Sequence, residues 1–497
     1  MANWCAWRLP RAVPMRDAIR RPVSAGARKG LALALVVALA GCSFAPPYRP
    51  PVTAAPIAFK EAGPWRPAHP ADAGPAADWW TAFGDPELDR LEATIAASNP
   101  SYAGALGRYE QAQAYLAQAK AVLLPTVNIG TGPTGITANK QSANRPLRSP
   151  SQPTYYAADT VAGDVSYELD LWGRVRNGVA AGKAEVQASG DDLAALRLSL
   201  ERQLASTYLA LRGYDQQLIL LGQTVDAYGQ ADALTQRRFK GGIASALDTG
   251  RSGAILGEAQ AQLADVKAAR ALAEHAIGSL VGVEASTFSL PPAKIAFTLP
   301  DIPVGLPSTL LQRRPDVAAA ERRMFAANAE IGVAKAAFFP SISLGGQGGF
   351  QNTGLPSLFT APNIFWSIGP SAVLNLFDGG RRRAQVAIAR AAWDQATADY
   401  RGAVLTALQE VEDQLATLHH LDDEAAAENR ALDGAATAER TALNRYNKGA
   451  TDYLEVVTAQ ATALRIRRTV LDLSTRRLQA SARLMIALGG GWQASSG

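Results

Sequence analysis

The chain has 497 residues, long enough to hold several domains, with 48% apolar and 19% charged side chains. Its formal charge of +5 arises at one end: residues 1–41 carry seven Lys/Arg and one acid, a contribution of +6 that leaves the remainder near −1. No basic tract follows to bind a phosphate backbone, which excludes a nucleic-acid partner, and with Cys5 and Cys42 as the only cysteines there is no disulfide framework or thiolate metal site.

The first element is a basic leader followed by the apolar run Leu31–Leu39 and then Leu39-Ala40-Gly41-Cys42. The run is too short to cross a bilayer and reads as a signal-peptide core, so residues 1–41 are assigned as a signal peptide. Leu-Ala-Gly-Cys resembles the bacterial lipobox, which implies cleavage before Cys42 and a diacylglycerol on its sulfur. Ser43 is not the aspartate that typically retains lipoproteins in the inner membrane. Met15 is an alternative start that would remove Cys5. Residues 42–78, with Pro46, Pro47, Pro50 and Pro51, read as an extended tether.

Asp85-Pro86-Glu87-Leu88 predicts a short helix, and Asn99-Pro100 starts a second that runs to Leu124 and is stopped by Pro125. Strands follow at about 125–137 and 156–172. Val165, Tyr167, Leu169 and Leu171 alternate with polar residues there, and Val127 and Ile129 do so in the strand before. Residues 154–290 contain no proline. Leu193, Leu196, Leu200, Leu204, Tyr208, Leu211, Tyr214, Leu218 and Leu221 recur at three or four, predicting a helix from about Val179 to Arg237, roughly 90 Å long, with a heptad-like seam. Gly242 permits a tight reversal into a second long helix.

After a linker at 286–306 the pattern returns over 307–490. Ala121–Gly130 is matched by Ala336–Gly345, Leu169-Asp170-Leu171-Trp172 by Leu374-Asn375-Leu376-Phe377, and Arg238-Phe239 by Arg445-Tyr446, with offsets of 215, 205 and 207 residues. Residues 79–285 and 307–490 are therefore read as an internal tandem repeat. The second copy predicts strands at about 340–350 and 364–377. A proline-free stretch, 371–497, carries the seam Trp393, Tyr400, Val404, Leu408, Val411, Leu415 and Leu418, with its reversal at Gly449. Residues 491–497 read as a tail.

Alternation over about ten residues suits a membrane barrel strand, and equally a sheet with one wet face. Four strands cannot close a barrel, and an open edge is untenable in lipid. Either several chains share one barrel, three supplying twelve strands, or the sheet is not in the membrane.

Longer motifs carry a specific resemblance. Leu306–Val317, with Gln312-Arg313-Arg314-Pro315-Asp316, continues through Ala319–Arg323 and Asn328–Gly332 to Phe338-Phe339-Pro340-Ser341; Trp79–Leu88 is a second such stretch. Together they resemble the TolC/OprM-type outer-membrane factors, specifically the NodT-like lipoprotein branch. The resemblance implies an α+β membrane protein: a homotrimer with a twelve-stranded barrel, four strands per chain, above a long periplasmic α-helical barrel. It implies a passive exit channel in a tripartite, RND-type efflux system, partnered by a periplasmic adaptor, an inner-membrane transporter and outer-membrane lipid. No cofactor is implied beyond the covalent lipid on Cys42. By the same resemblance, Asp248 and Glu455 line the periplasmic mouth as rings of carboxylates that favour cations, each raising its neighbours' pKa. Arg238, Arg445, Tyr446 and Asp452 form interhelical links that hold the mouth shut. Arg251 and Thr458 stand where the family often has a second aspartate.

No catalytic constellation is found, so the chain is not read as an enzyme. His69, His275, His419 and His420 lie in no zinc motif, and the last two are placed on different faces of a helix. The alternatives carried forward are a type I secretion duct, a structural periplasmic adaptor lipoprotein and an exported enzyme.

Overall fold

The computed structural model describes residues 43–51, 58–61, 78–133, 159–294, 297, 299–300, 302, 313–352 and 355–491. The signal peptide, Cys42, most of the tether and linker, the loop between the first two strands, His69 and the tail beyond 491 lie outside them. The chain divides into two compact units. One comprises residues 1–44, 125–176 and 335–378, and the other holds the rest.

The first unit is a four-stranded antiparallel sheet of β1 (Thr126–Pro133), β2 (Asp159–Glu168), β3 (Ser341–Asn352) and β4 (Ile364–Val373), paired in that order. The register sorts the side chains. Val127, Val165, Gly346 and Ile368 lie in one row, and Ile129, Gly163, Gly348 and Trp366 in the next on the same face. The opposite face carries Asn128, Asp164, Gln347 and Ser367, where Asn128 Nδ2 donates to Asp164 Oδ2 at 3.0 Å. Gly349 lets β2 and β3 approach, since a Cβ there would sit 2.1 Å from the Val161 carbonyl oxygen.

Two strands end earlier than the alternation predicts. Leu169, Leu171, Leu374 and Leu376 continue the period of two, but only Leu169 still bonds to the neighbouring strand, its N–H reaching the Ile342 carbonyl at 2.8 Å, and the other three lie past the ladder. The polar residue between each pair of leucines turns the chain instead. The Asp170 carboxylate accepts from Arg176 N at 2.8 Å, and Asn375 Oδ1 accepts from Phe377 N at 3.2 Å. Both side chains offer the backbone a local alternative to the sheet.

The second unit is helical. A short 3-10 turn, Trp79–Phe83, leads into α1 (Pro86–Ser98) and α2 (Pro100–Ala121), each with proline in its first turn and an Asp85 or Asn99 side chain capping its N-terminus. Then come α3 (Arg174–Lys240), α4 (Ala246–Leu280), α5 (Pro315–Ala336), α6 (Arg381–Asn447) and α7 (Tyr453–Ala487). α3 and α6 are each 67 residues, and α4 and α7 each 35. At 1.5 Å per residue the longer pair reach roughly 100 Å. No helix among the described residues is apolar enough over its length to cross a membrane.

The main core joins Trp79, Trp80, Phe83 and Leu88 to Leu204, Tyr208 and Leu211 of α3 and to Val411, Leu415 and Leu418 of α6. The middle of each predicted seam is thus buried, while Leu193, Leu196, Trp393 and Tyr400 are half-buried. Two family-like motifs also tie elements together here. Asp85 caps α1 and accepts from the Tyr208 hydroxyl at 2.6 Å. Arg314, buried, meets Asp316 at 2.7 Å, Glu410 of α6 at 2.6 Å and the Ala487 carbonyl of α7 at 3.3 Å. Truncating it would remove the link among these elements, while the exposed Asp316 and Glu410 carboxylates would turn to water.

Candidate functional site

The predicted site residues gather where the long helices reverse. The first turn leaves α3 with Gly242 at φ +75°, and the Ile243 N–H returns to the Arg238 carbonyl at 2.8 Å. The second leaves α6 with Gly449 at φ +71°, and the Ala450 N–H returns to the Arg445 carbonyl at 2.9 Å. Both follow the Schellman pattern, in which a left-handed glycine lets N–H groups satisfy the last helical carbonyls.

At the first turn Ser245 caps α4. Its hydroxyl accepts from Asp248 N at 3.1 Å, while the Asp248 carboxylate accepts from Ser245 N at 3.0 Å and from the Ser245 hydroxyl at 2.7 Å. This closed capping box is legible as Ser-x-x-Asp. The Ser245 backbone N–H, then its hydroxyl, hold the Asp248 carboxyl below the usual carboxylate range, with Arg251 adding a charge contribution. Within one chain the local pull on Asp248 is therefore toward the charged form.

At the second turn Asp452 caps α7 by accepting from Glu455 N at 3.2 Å. Glu455 accepts from the Thr451 hydroxyl and faces Arg445 at 3.6 Å, with both side chains about half exposed. Such a pair in water stabilises little.

The predicted links separate into two kinds. Arg238 of α3 lies over the Tyr446 ring of α6 at 4.9 Å, joining the two hairpins by a cation–π contact. Arg445 and Asp452 act within the second turn. Sequence reasoning missed the residue that completes the junction: Tyr453 is 3% exposed, its ring 5.2 Å from that of Tyr446, with Thr235 of α3 beside it. Burial pushes the Tyr453 phenol up, so it stays neutral. Nearby, the Ser252 hydroxyl of α4 donates to Asp232 of α3 at 2.5 Å.

One expectation is corrected. His419 and His420 do not project to separate faces: their rings lie 5.2 Å apart. Successive Cα positions differ by about 100° around a helix, but long side chains can swing toward one another across that gap.

Comparison with known proteins places this geometry. The outer membrane efflux protein family matches residues 93–283 and again 306–490. The chain is 33% identical over 467 residues to outer membrane protein OprJ of Pseudomonas aeruginosa, covering 93% of this chain and 95% of that one. It is 30% identical over 469 residues to the cation efflux system protein CusC of Escherichia coli O6:H1, covering 94% and 99%. Among solved structures, the open state of the Neisseria gonorrhoeae MtrE outer membrane channel superposes with a TM-score of 0.78 at 26% identity, over 92% of this chain and all of that one. The chain belongs to the outer membrane efflux protein family, the TolC/OprM-type exit channels of tripartite efflux systems, which sit in the outer membrane and extend into the periplasm.

Proposed function

We propose that the chain works as a homotrimer in which three four-stranded sheets close one twelve-stranded barrel, continuous with a periplasmic helical barrel built from two tandem repeats. It passively conducts small molecules received from a periplasmic adaptor and an RND-type inner-membrane transporter. The observation that carries this reading is the sheet. β1 and β4 pair on one side only, and the face shared by Val127, Ile129, Trp366 and Ile368 is exposed, Ile129 to 82% and Trp366 to 76%. A hydrocarbon solvent suits that apolar face but not two open edges, where each unpaired backbone group costs several kcal/mol. An even number of strands sets β4 of one copy antiparallel to β1 of the next, so the ring closes without a break in alternation.

Cys42 carries the lipid in this reading. Phe44, two residues on, stacks on Phe339 at 4.4 Å, and Phe339 on Trp172 at 5.0 Å, all in the unit that holds the sheet. A chain held there at Phe44 brings its acyl group to the membrane that receives the strands. In the helical unit, Asp248 and Glu455 ring the periplasmic mouth, and the Arg238–Tyr446–Tyr453 junction holds the hairpins together until a partner shifts them. The relative CusC is a cation efflux system protein, which favours efflux over type I protein secretion or an adaptor role.

The test is the mass of the mature protein extracted from outer membranes in mild detergent. Three chains per particle are expected, and a monomer would reject the shared barrel. Separately, Cys42→Ser should lose incorporation of labelled palmitate, and a labelled mutant would reject the lipid anchor.

A further inference from the structure

Midway along α6, at a distance in sequence from the turns, three potential metal ligands converge. His419 and Asp423 are four residues apart and His420 and Asp423 three, the two spacings that bring helical side chains together. One ligand atom from each of the three lies within 4.8 Å of the others. His419 is half-buried, while His420 and Asp423 are exposed.

The charges around them single out Asp423. It is the middle member of the acidic run Asp422-Asp423-Glu424, and α7 supplies an arginine to each outer member. Arg477 pairs with Asp422, and Arg476 with Glu424 at 3.5 Å. Asp423 has no arginine or lysine partner among the described residues. The hairpin thus neutralises the flanking carboxylates and leaves unpaired the one beside the imidazoles. Two neutral imidazoles and a carboxylate form a nitrogen-rich donor set. It suits Zn²⁺, Ni²⁺ or Cu²⁺, and not Ca²⁺ or Mg²⁺, which take oxygen ligands. Ligand atoms around a tetrahedral zinc stand roughly 3.4 Å apart, given metal–ligand bonds of about 2.1 Å. Small rotations of these side chains cover the difference, leaving a fourth position for water.

We propose that His419, His420 and Asp423 form a binding site for a divalent transition-metal ion on the face of α6. Bound there, the ion ties one helical turn together and cancels the one acid the arginines leave free.

The experiment is calorimetric titration of ZnCl₂ into the tag-free, EDTA-treated protein in detergent. One ion per chain is expected. His420→Ala and Asp423→Asn should each weaken binding at least by the roughly tenfold that even an outer-shell partner contributes to a metal site. His275→Ala, which alters an exposed histidine of α4, serves as the control and should bind as the unaltered protein does. Both site substitutions fall on an exposed helix surface that tolerates them, so the particle mass should be unchanged. Co²⁺ in place of zinc should give a visible absorption band that His420→Ala abolishes. The absence of saturable binding, or equal affinity in the His420→Ala and Asp423→Asn variants, overturns the site.

Discussion

At Gly242 and at Gly449 the chain reverses with nearly the same backbone, φ +75° and +71°, yet the two turns are held by different means. The first is fixed from within, because Ser245 and Asp248 satisfy each other and the ends of α4. The second has its own cap in Asp452 and is held from outside as well, because Tyr446 lies under Arg238 of the other hairpin and Tyr453 sits between Tyr446 and Thr235. Local hydrogen bonds make a turn rigid by itself, whereas contacts between hairpins make its position depend on its neighbour. A mouth that must both keep its shape and move needs each kind. At the proposed mouth the first turn would supply the shape, and the second the joint at which the hairpins separate.

The sharpest way to break this contrast is Tyr453→Ala. Removing a buried aromatic ring costs about 3–5 kcal/mol, and the loss falls on the junction. Hydrogen exchange should speed up in both hairpins near the turns, over about 228–260 and 440–460. Faster exchange in the second hairpin alone would mean that Tyr453 supports only its own turn.

Ser245→Ala comes next. Loss of an N-cap costs about 1 kcal/mol, and here the effect should stay within the first turn, leaving exchange at Tyr446 and Tyr453 unchanged. Acid should do the same by another route. The Asp248 carboxyl is held below its ordinary value of 3.8, so its contribution is fully present above that value and is lost as the pH falls through the lower folded value. Exchange corrected for intrinsic rates should therefore rise at the first turn on acidification below about pH 3.8, and Ser245→Ala should reduce that dependence by the hydroxyl's share while the backbone N–H keeps the rest. A first turn equally acid-sensitive without Ser245 would show that the capping box is not its cause.

Gly242 and Gly449 made both reversals legible in the sequence, while the Ser245-x-x-Asp248 box went unread although its spacing is as local. Ser245-x-x-Asp248 and Gly242 state their geometry within a few residues, as do the capping Asp85 and Asn99 before their prolines. Tyr453 reads only as the residue after a cap, yet it is buried with Ala442 and Val456 of its own hairpin and lies beside Thr235 of α3, more than two hundred residues upstream. The strand ends show how a local rule misleads. Leu169, Leu171, Leu374 and Leu376 keep the apolar period, but Asp170 and Asn375 between them bond the backbone and stop the ladder. His419 and His420 misled in a third way, because helical phase fixes where a side chain starts and not where its ring ends.

The smallest effect on stability belongs to the Arg445–Glu455 pair, and it separates holding the fold from shaping the pore. Both side chains are about half in water at 3.6 Å, so Glu455→Gln should cost at most about 1 kcal/mol and leave exchange at the second turn nearly unchanged. Conduction should still respond. With Asp248→Asn added, three copies would lose two rings of carboxylate at the proposed mouth, and cation preference follows the charge that lines a constriction. The reversal potential across a planar bilayer under a salt gradient should move toward zero in the double variant, with Glu455→Gln alone giving part of the shift. Because the fold barely registers Glu455→Gln, such a shift cannot be a by-product of unfolding. An unmoved potential would leave Asp248 as a capping residue and Glu455 as a solvated helix-end charge, and the mouth would then have to be sought among other residues.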